Sequence, residues 1–147
     1  MRLLILCTAN SARSQMAEGW ARHFAKLHNF DLEVFSAGTR ATQVNPNAIA
    51  AMKEVDIDIR SHTSKTLYDL PDPWNFDLVL TVCDSAAEAC PVYPAKTLRL
   101  HHSFPDPAGQ NDEGHAFREV RDLEKPILEK LILDLKAGRT PNLETIS

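Results

Sequence analysis

Cys7-Thr8-Ala9-Asn10-Ser11-Ala12-Arg13-Ser14 is the stretch on which the reading of this sequence turns. Ahead of it, Arg2-Leu3-Leu4-Ile5-Leu6 is an almost unbroken apolar run. Such runs are strands covered on both faces, as in parallel sheets. Behind it, Met16, Trp20, Phe24 and Leu27 recur at helical spacing, which predicts a helix over Arg13–Leu27. A thiol therefore sits at the end of a buried strand. A short polar loop follows, and then the first turn of a helix.

That order of elements makes an anion site. Successive N–H groups in a tight loop, joined by the unpaired N–H groups of a helix N-terminus, form a cradle for negative charge. Arg13 adds a planar fork of donors that matches a tetrahedral oxyanion. The same positive field is expected to lower the pKa of Cys7 and hold it as a thiolate, with Ser14 donating a hydrogen bond to the sulfur. A nucleophile and an oxyanion cradle formed by Thr8, Ala9, Asn10, Ser11, Ala12, Arg13 and Ser14 point to attack by sulfur on a phosphate-like anion.

The composition bounds the rest. At 147 residues, 44% of them hydrophobic, the chain reads as one domain over residues 1–138 with a tail over 139–147. A net charge of −4 gives no general attraction to nucleic acid or an acidic membrane, so the positive field must be local. No apolar run approaches the roughly 20 residues of a membrane span. The opening residues read as a strand rather than a signal sequence, so the cytoplasm is the expected compartment, and a monomer is expected. Three cysteines in a reducing compartment point to catalysis or metal binding rather than a fixed disulfide framework.

Farther along, Leu32–Ala37 reads as a second strand closed by Gly38, and Pro46 opens a second helix. Ser61–Leu70 is expected to form a short helix after a Ser cap. Phe76–Val82 and Thr97–His101 read as two more strands. Gly114–Lys136 is a long amphipathic helix with Phe117, Val120, Leu123, Ile127, Leu131 and Leu135 on or near one face. Alternating strands and helices predict an α/β fold: three layers, with a four-stranded parallel sheet in the order 2-1-3-4 flanked by helices. Cys7 then lies at the topological switch point, where ligands bind beyond the carboxyl ends of strands.

A second constellation shares that edge. Cys83 ends the third strand, and Cys90 follows an Ala-rich run of good helix formers. Across an intact helix the two would be about 10 Å apart, from a rise of ~1.5 Å per residue. A disulfide needs Cα atoms within ~7 Å, so bonding requires the segment to unwind. A C-x6-C spacing is not that of a zinc site, and no metal is expected. His101-His102 reads as solvated strand-end residues. Asp106, ahead of Pro107 on the loop after the fourth strand, is a candidate general acid.

The stretch Cys7–Trp20 (CTANSARSQMAEGW), with Ser36-Ala37-Gly38, Val44-Asn45-Pro46, His62-Thr63-Ser64 and Asp106-Pro107-Ala108-Gly109, resembles the arsenate reductases built on the low-molecular-weight tyrosine phosphatase fold. The resemblance implies a low-molecular-weight phosphatase-like fold. It implies reduction of arsenate by a Cys7/Cys83/Cys90 disulfide relay, with Asp106 as general acid. Phosphate or sulfate would act as analogues of the substrate. No cofactor is bound; electrons come from thioredoxin, thioredoxin reductase and NADPH. Two alternatives stand beside it: a phosphatase using Cys7, Arg13 and Asp106 alone, or a non-enzymatic redox-sensing thiol protein. Gln15 stands where the phosphatase loop usually has Pro. Ala9 stands where Gly is common, which would cost on the order of 1 kcal/mol if that position took a positive φ. Some of these reductases hold a potassium ion with groups matching Asn10, Glu18, Ser36 and an acidic side chain. That last position falls on Lys65, whose ammonium either replaces the ion beside Glu18 or points to solvent.

Overall fold

The apolar run forms β1 (Arg2–Cys7), the inner strand of a four-stranded sheet in the order β2-β1-β3-β4, where β2 is Glu33–Gly38, β3 Leu78–Thr81 and β4 Leu98–His101. The computed structural model describes residues 1–83, 93–94, 96–109 and 112–141. All three pairings are parallel: Leu3 is opposite Val34 on one side and Leu78 on the other, and Leu80 is opposite Leu100. Leu3, Leu4, Ile5 and Leu6 are all buried. Burial of one such side chain contributes about 1.5–3 kcal/mol, so β1 has no register to slip into without exposing several of them. β4 alternates between half-buried and exposed residues, as an edge strand does. The expected order 2-1-3-4 is the observed one.

Strand geometry separates the two faces. Ser36 of β2 reaches Glu18 of helix α1 (Arg13–Leu27), so Phe35 points the other way, because successive strand residues face opposite sides. There it meets Phe76, with ring centroids 5.7 Å apart, and Phe76 meets Tyr93 at 6.4 Å. On the α1 face, α1 packs against α2 (Pro46–Lys53) and α3 (Glu113–Lys136). Trp20 Nε1 donates to Arg121 O (3.0 Å), and Arg121 Nη1 donates to Ala51 O (2.9 Å) and Glu54 Oε1 (2.8 Å), so α3 is fastened to both other helices. The helix starts follow the chemistry of their caps. The Asn45 side chain accepts from Asn47 N at 2.9 Å, ahead of Pro46 at the first helical position, and Asp112 accepts from His115 N at 3.1 Å.

Two expectations fail. Ser61–Leu70 is not a helix; only Leu67–Asp69 turns, as a short 3-10 segment. Residues 63–66 are drawn out because they bond elsewhere: Lys65 N to Asn10 Oδ1, Ser64 Oγ to Ala9 O, and Gly38 N to Lys65 O. Those tertiary bonds outweigh a weak local propensity. Leu123 was placed on or near the inward face of α3 but is exposed, while Glu124 beside it is fully buried. Among the described residues, no helix is long and apolar enough to cross a membrane.

Candidate active site

The loop after β1 is shaped by what its carbonyls do. Thr8 O accepts from Thr39 N (2.9 Å) and Arg40 N (3.1 Å), Ala9 O from the hydroxyls of Thr42 and Ser64 (2.9 Å each), and Ser11 O from Asn45 N (3.0 Å). The strap of residues 39–45, with Ser64, thus engages the oxygens of Thr8, Ala9 and Ser11 and keeps them from an incoming anion, as an anion nest requires. Ala12 precedes α1 and has no side-chain oxygen to cap it, so the helix's first N–H groups remain for a ligand. The left-handed residue is Asn10 (φ 47°), not Ala9, so the alanine carries none of the strain considered for it. The end of β2 presses on the loop from behind. A Cβ at Gly38 would stand 2.5 Å from Thr8 O and 2.9 Å from Asn10 N, so glycine alone fits.

Cys7 and Cys83 are buried side by side, with their sulfurs 3.4 Å apart, a thiol contact and not a disulfide. Thr8 Oγ1 lies 3.3 Å from the Cys83 sulfur. This pairing corrects the expected thiolate. The hydrogen bond to Cys83 and burial push the Cys7 thiol well up, and Arg13 and the Thr8 N–H, which pull it down, are outweighed. No hydrogen bond joins Ser14 to Cys7; the Ser14 hydroxyl accepts from Asn10 Nδ2 at 2.8 Å. Cys90 lies outside the described residues.

Arg13 leans toward the loop after β4. Its Nη1 donates to Phe104 O (3.2 Å), and its Nη2 lies 3.8 Å from Asp106 Oδ2. Asp106 Oδ1 accepts from Ala108 N at 3.0 Å, and its side chain is 60% exposed. Cys7, Thr8, Ala9, Ser11, Ala12, Arg13 and Asp106 share one cavity of about 400 Å³, ample for a tetrahedral oxyanion. Asn45, from the Val44-Asn45-Pro46 match, lines it too, as do Arg40 and Thr42, which no motif in the sequence marks. The fully buried Glu124, near enough to feel the charge of Arg13, finds no hydrogen-bond partner for either carboxyl oxygen among the described residues. Burial raises its pKa well above the usual carboxylate value, against the pull of Arg13.

The other flank of the loop is tightly bonded. Gln15 Nε2 donates to Asn10 O (3.1 Å), Asn10 Oδ1 (3.0 Å) and Thr63 O (3.1 Å). Its amide orientation is thereby fixed, and Oε1 must accept from His62 Nδ1 at 3.1 Å. The other ring nitrogen of His62 faces Glu18 Oε2 at 3.5 Å. Glu18 also takes the Ser36 hydroxyl and Arg22 Nε (2.8 Å). Burial lowers the His62 pKa, while Glu18 pulls it up. Lys65 is half-buried and donates to Thr63 O at 2.8 Å; burial lowers its pKa, against the pull of Glu18. It therefore sits over this network rather than pointing into solvent. His101 Nδ1 is 2.7 Å from Thr81 Oγ1, and His102 stacks on Phe104 with its Nδ1 buried. His102 is therefore packed rather than solvated, unlike the strand-end residue expected from the sequence. Among the described residues, no cluster of three or more His, Cys, Asp or Glu side chains could hold a metal.

A cysteine at the carboxyl end of the inner strand, inside a nest of amides and beside an arginine, defines a cysteine-dependent enzyme that works on tetrahedral oxyanions. The chain belongs to the low molecular weight phosphotyrosine protein phosphatase family, whose model matches residues 2–140. It is 46% identical over 131 residues to Arsenate reductase 1 of Staphylococcus saprophyticus, covering 89% of this chain and 95% of that one. Its fold is similar to that of an arsenate reductase solved in the phosphate binding state (TM-score 0.71, 33% identity, 90% of this chain and 97% of that one). It is also similar to that of the YwlE arginine phosphatase with a phosphorylated active site serine (TM-score 0.79, 26% identity, 95% and 98%).

Proposed function

We propose that this protein reduces arsenate to arsenite by a relay of three thiols. The observation that carries the reading is the 3.4 Å contact between the Cys7 and Cys83 sulfurs at the floor of the oxyanion loop. A phosphatase, which lets water cleave its intermediate, needs no second sulfur there. The 46% identity to a curated arsenate reductase points the same way.

In the proposed sequence, arsenate lies in the nest of loop amides with Arg13 across its oxygens. Cys7 sulfur attacks arsenic; one As–O bond breaks, and the oxygen leaves as water. Asp106 delivers its proton, and the proton lost from Cys7 restores the balance. Cys83 sulfur then attacks Cys7 sulfur. The S–As electron pair stays on arsenic, which leaves as arsenite, and a Cys7–Cys83 disulfide forms. Cys90 attacks Cys83 and frees Cys7, and the resulting Cys83–Cys90 disulfide takes two electrons from a dithiol protein. That donor is thioredoxin, recharged by its reductase and NADPH. Attack by Cys7 leaves Cys83, 3.4 Å away, as the near nucleophile for the next step.

The test is Cys90→Ser treated with arsenate. The variant should release one equivalent of arsenite and stall as a Cys7–Cys83 disulfide, read by mass spectrometry of peptides. Released arsenite with Cys83 still alkylatable would refute the relay. Arsenite production with thioredoxin, its reductase and NADPH, set against glutathione and glutaredoxin, tests the donor.

A further inference from the structure

The oxyanion contacts above come from the loop and Arg13, but the cavity has a second arginine. Arg40 lines it with Cys7, Arg13 and Asp106. Its placement is built rather than accidental. The Arg40 N–H donates to Thr8 O at 3.1 Å, Thr39 N–H to the same oxygen at 2.9 Å, and the Thr42 hydroxyl to Ala9 O at 2.9 Å. The backbone on both sides of Arg40 is therefore fastened to the loop that would hold the anion, with Gly38 wedged against that loop immediately upstream.

Among the described residues the Arg40 guanidinium makes no ion pair and no side-chain hydrogen bond, whereas Arg13 in the same cavity is spent partly on Phe104 O and Asp106. Among the described residues the one carboxylate lining the cavity, Asp106, lies beside Arg13. In a chain of net charge −4, an unpaired cation at the mouth of a cavity with amide walls makes a local positive potential for a doubly charged anion.

We infer that Arg40 is a specificity-determining residue: a second guanidinium, at the cavity mouth, that captures the tetrahedral dianion and raises its affinity without taking part in the bond changes. The inference rests on the oxyanion reading of the site. It adds a role for the strap, which clamps the loop with its backbone and meets the substrate with a side chain. Because Arg40 is exposed, its pull is screened by water and salt, and its share of affinity is modest.

The test compares Arg40→Ala, Arg40→Lys and, as a charge control, Arg139→Ala. Arg139 lies with Met1, Asp77 and Leu98 at the opposite edge of the sheet. The Arg40→Ala variant should raise the KM for arsenate about five- to tenfold with kcat within twofold of the parent, and should flatten the dependence of KM on ionic strength. Arg40→Lys should recover most of the loss, and Arg139→Ala should change KM less than twofold. The dissociation constant of inorganic phosphate, measured by calorimetry, should weaken in Arg40→Ala by the same factor as KM. A fall in kcat at unchanged KM, a phosphate affinity within twofold of the parent, or an equal loss in Arg139→Ala would each overturn the assignment. If the parent protein makes no arsenite, the arsenate reading falls by itself, and the phosphate titration still decides the role of Arg40.

Discussion

The two flanks of the loop at Cys7 are built on opposite plans. On the Gln15 side, Asn10, Ser14, Gln15, Glu18 and Ser36 are buried, and the polar atoms of one meet those of the next across three segments of the chain. On the Asp106 side, one arginine and one exposed carboxylate approach at 3.8 Å, and one N–H steadies the acid. The difference separates two jobs. The buried flank fixes where the loop's amides point, which must be settled before any ligand arrives. In the proposed mechanism the open flank carries the groups that meet solvent, accept the ligand and exchange protons.

Substitutions on the two flanks should therefore fail differently. Asp106→Asn on the open flank should lower kcat for arsenate by about 10²–10³, with phosphate affinity nearly kept and stability within about 0.5 kcal/mol, as for an exposed site. Steady-state kinetics with thermal unfolding checks this; a large drop in melting temperature would mean that the open flank is structural after all. Gln15→Leu on the buried flank strips donors from Asn10 and Thr63 and the acceptor from His62. At about 1–3 kcal/mol for a buried group left unpaired, it should cost roughly 3 kcal/mol of stability and weaken phosphate binding about tenfold. Denaturant unfolding with phosphate titration reads both, and unchanged phosphate affinity would show that the flank does not set the loop.

His62 gives a finer test of the buried flank. Burial holds its folded pKa below the ordinary value of 6.5. Between the two values the unfolded chain binds the proton first. Its contribution to stability is complete above about pH 6.5 and is lost as the pH falls toward the folded pKa. A His62→Gln variant keeps a donor for Gln15 Oε1 and should flatten that acid-side slope, as melting curves between pH 5 and 8 would show. An unaltered slope would place the titration elsewhere. The smallest effect concerns Lys65, whose ammonium covers the network that includes Glu18. Turnover in sodium and potassium salts at matched ionic strength should agree within about 1.5-fold, since a lysine there repels a bound cation. A several-fold gain specific to potassium would break this reading of the buried flank.

What the sequence made legible divides along similar lines. Strand β1, the helix after it, the sheet order and the seven-residue span from Cys7 to Arg13 were readable because each is written in neighbouring residues. The buried flank was not. Gln15 and His62 lie 47 positions apart, and neither periodicity nor propensity reports a bond between them. The same blindness explains 61–70. A Ser followed by helix formers looks like a helix start until Ser64 and Lys65 are seen serving the loop. Arg40 was passed over because a single arginine in a polar loop has no local signature; only the strap's bonds to Thr8 and Ala9 give it a place. The upward push on the Cys7 thiol was hidden for a related reason, since its partner sulfur lies 76 residues away.

That sulfur pair also bears on survival under oxidative stress. A thiol that meets peroxide is first converted to a sulfenic acid, and a second oxidation to the sulfinic acid is irreversible for most proteins. At Cys7 the second step has a competitor already in contact. The Cys83 sulfur, 3.4 Å away, is within reach to condense with a sulfenic acid there, which would expel water and close a disulfide. A lesion captured in that way would be a bond that a thiol reductant can open, so reduction rather than resynthesis would restore the protein.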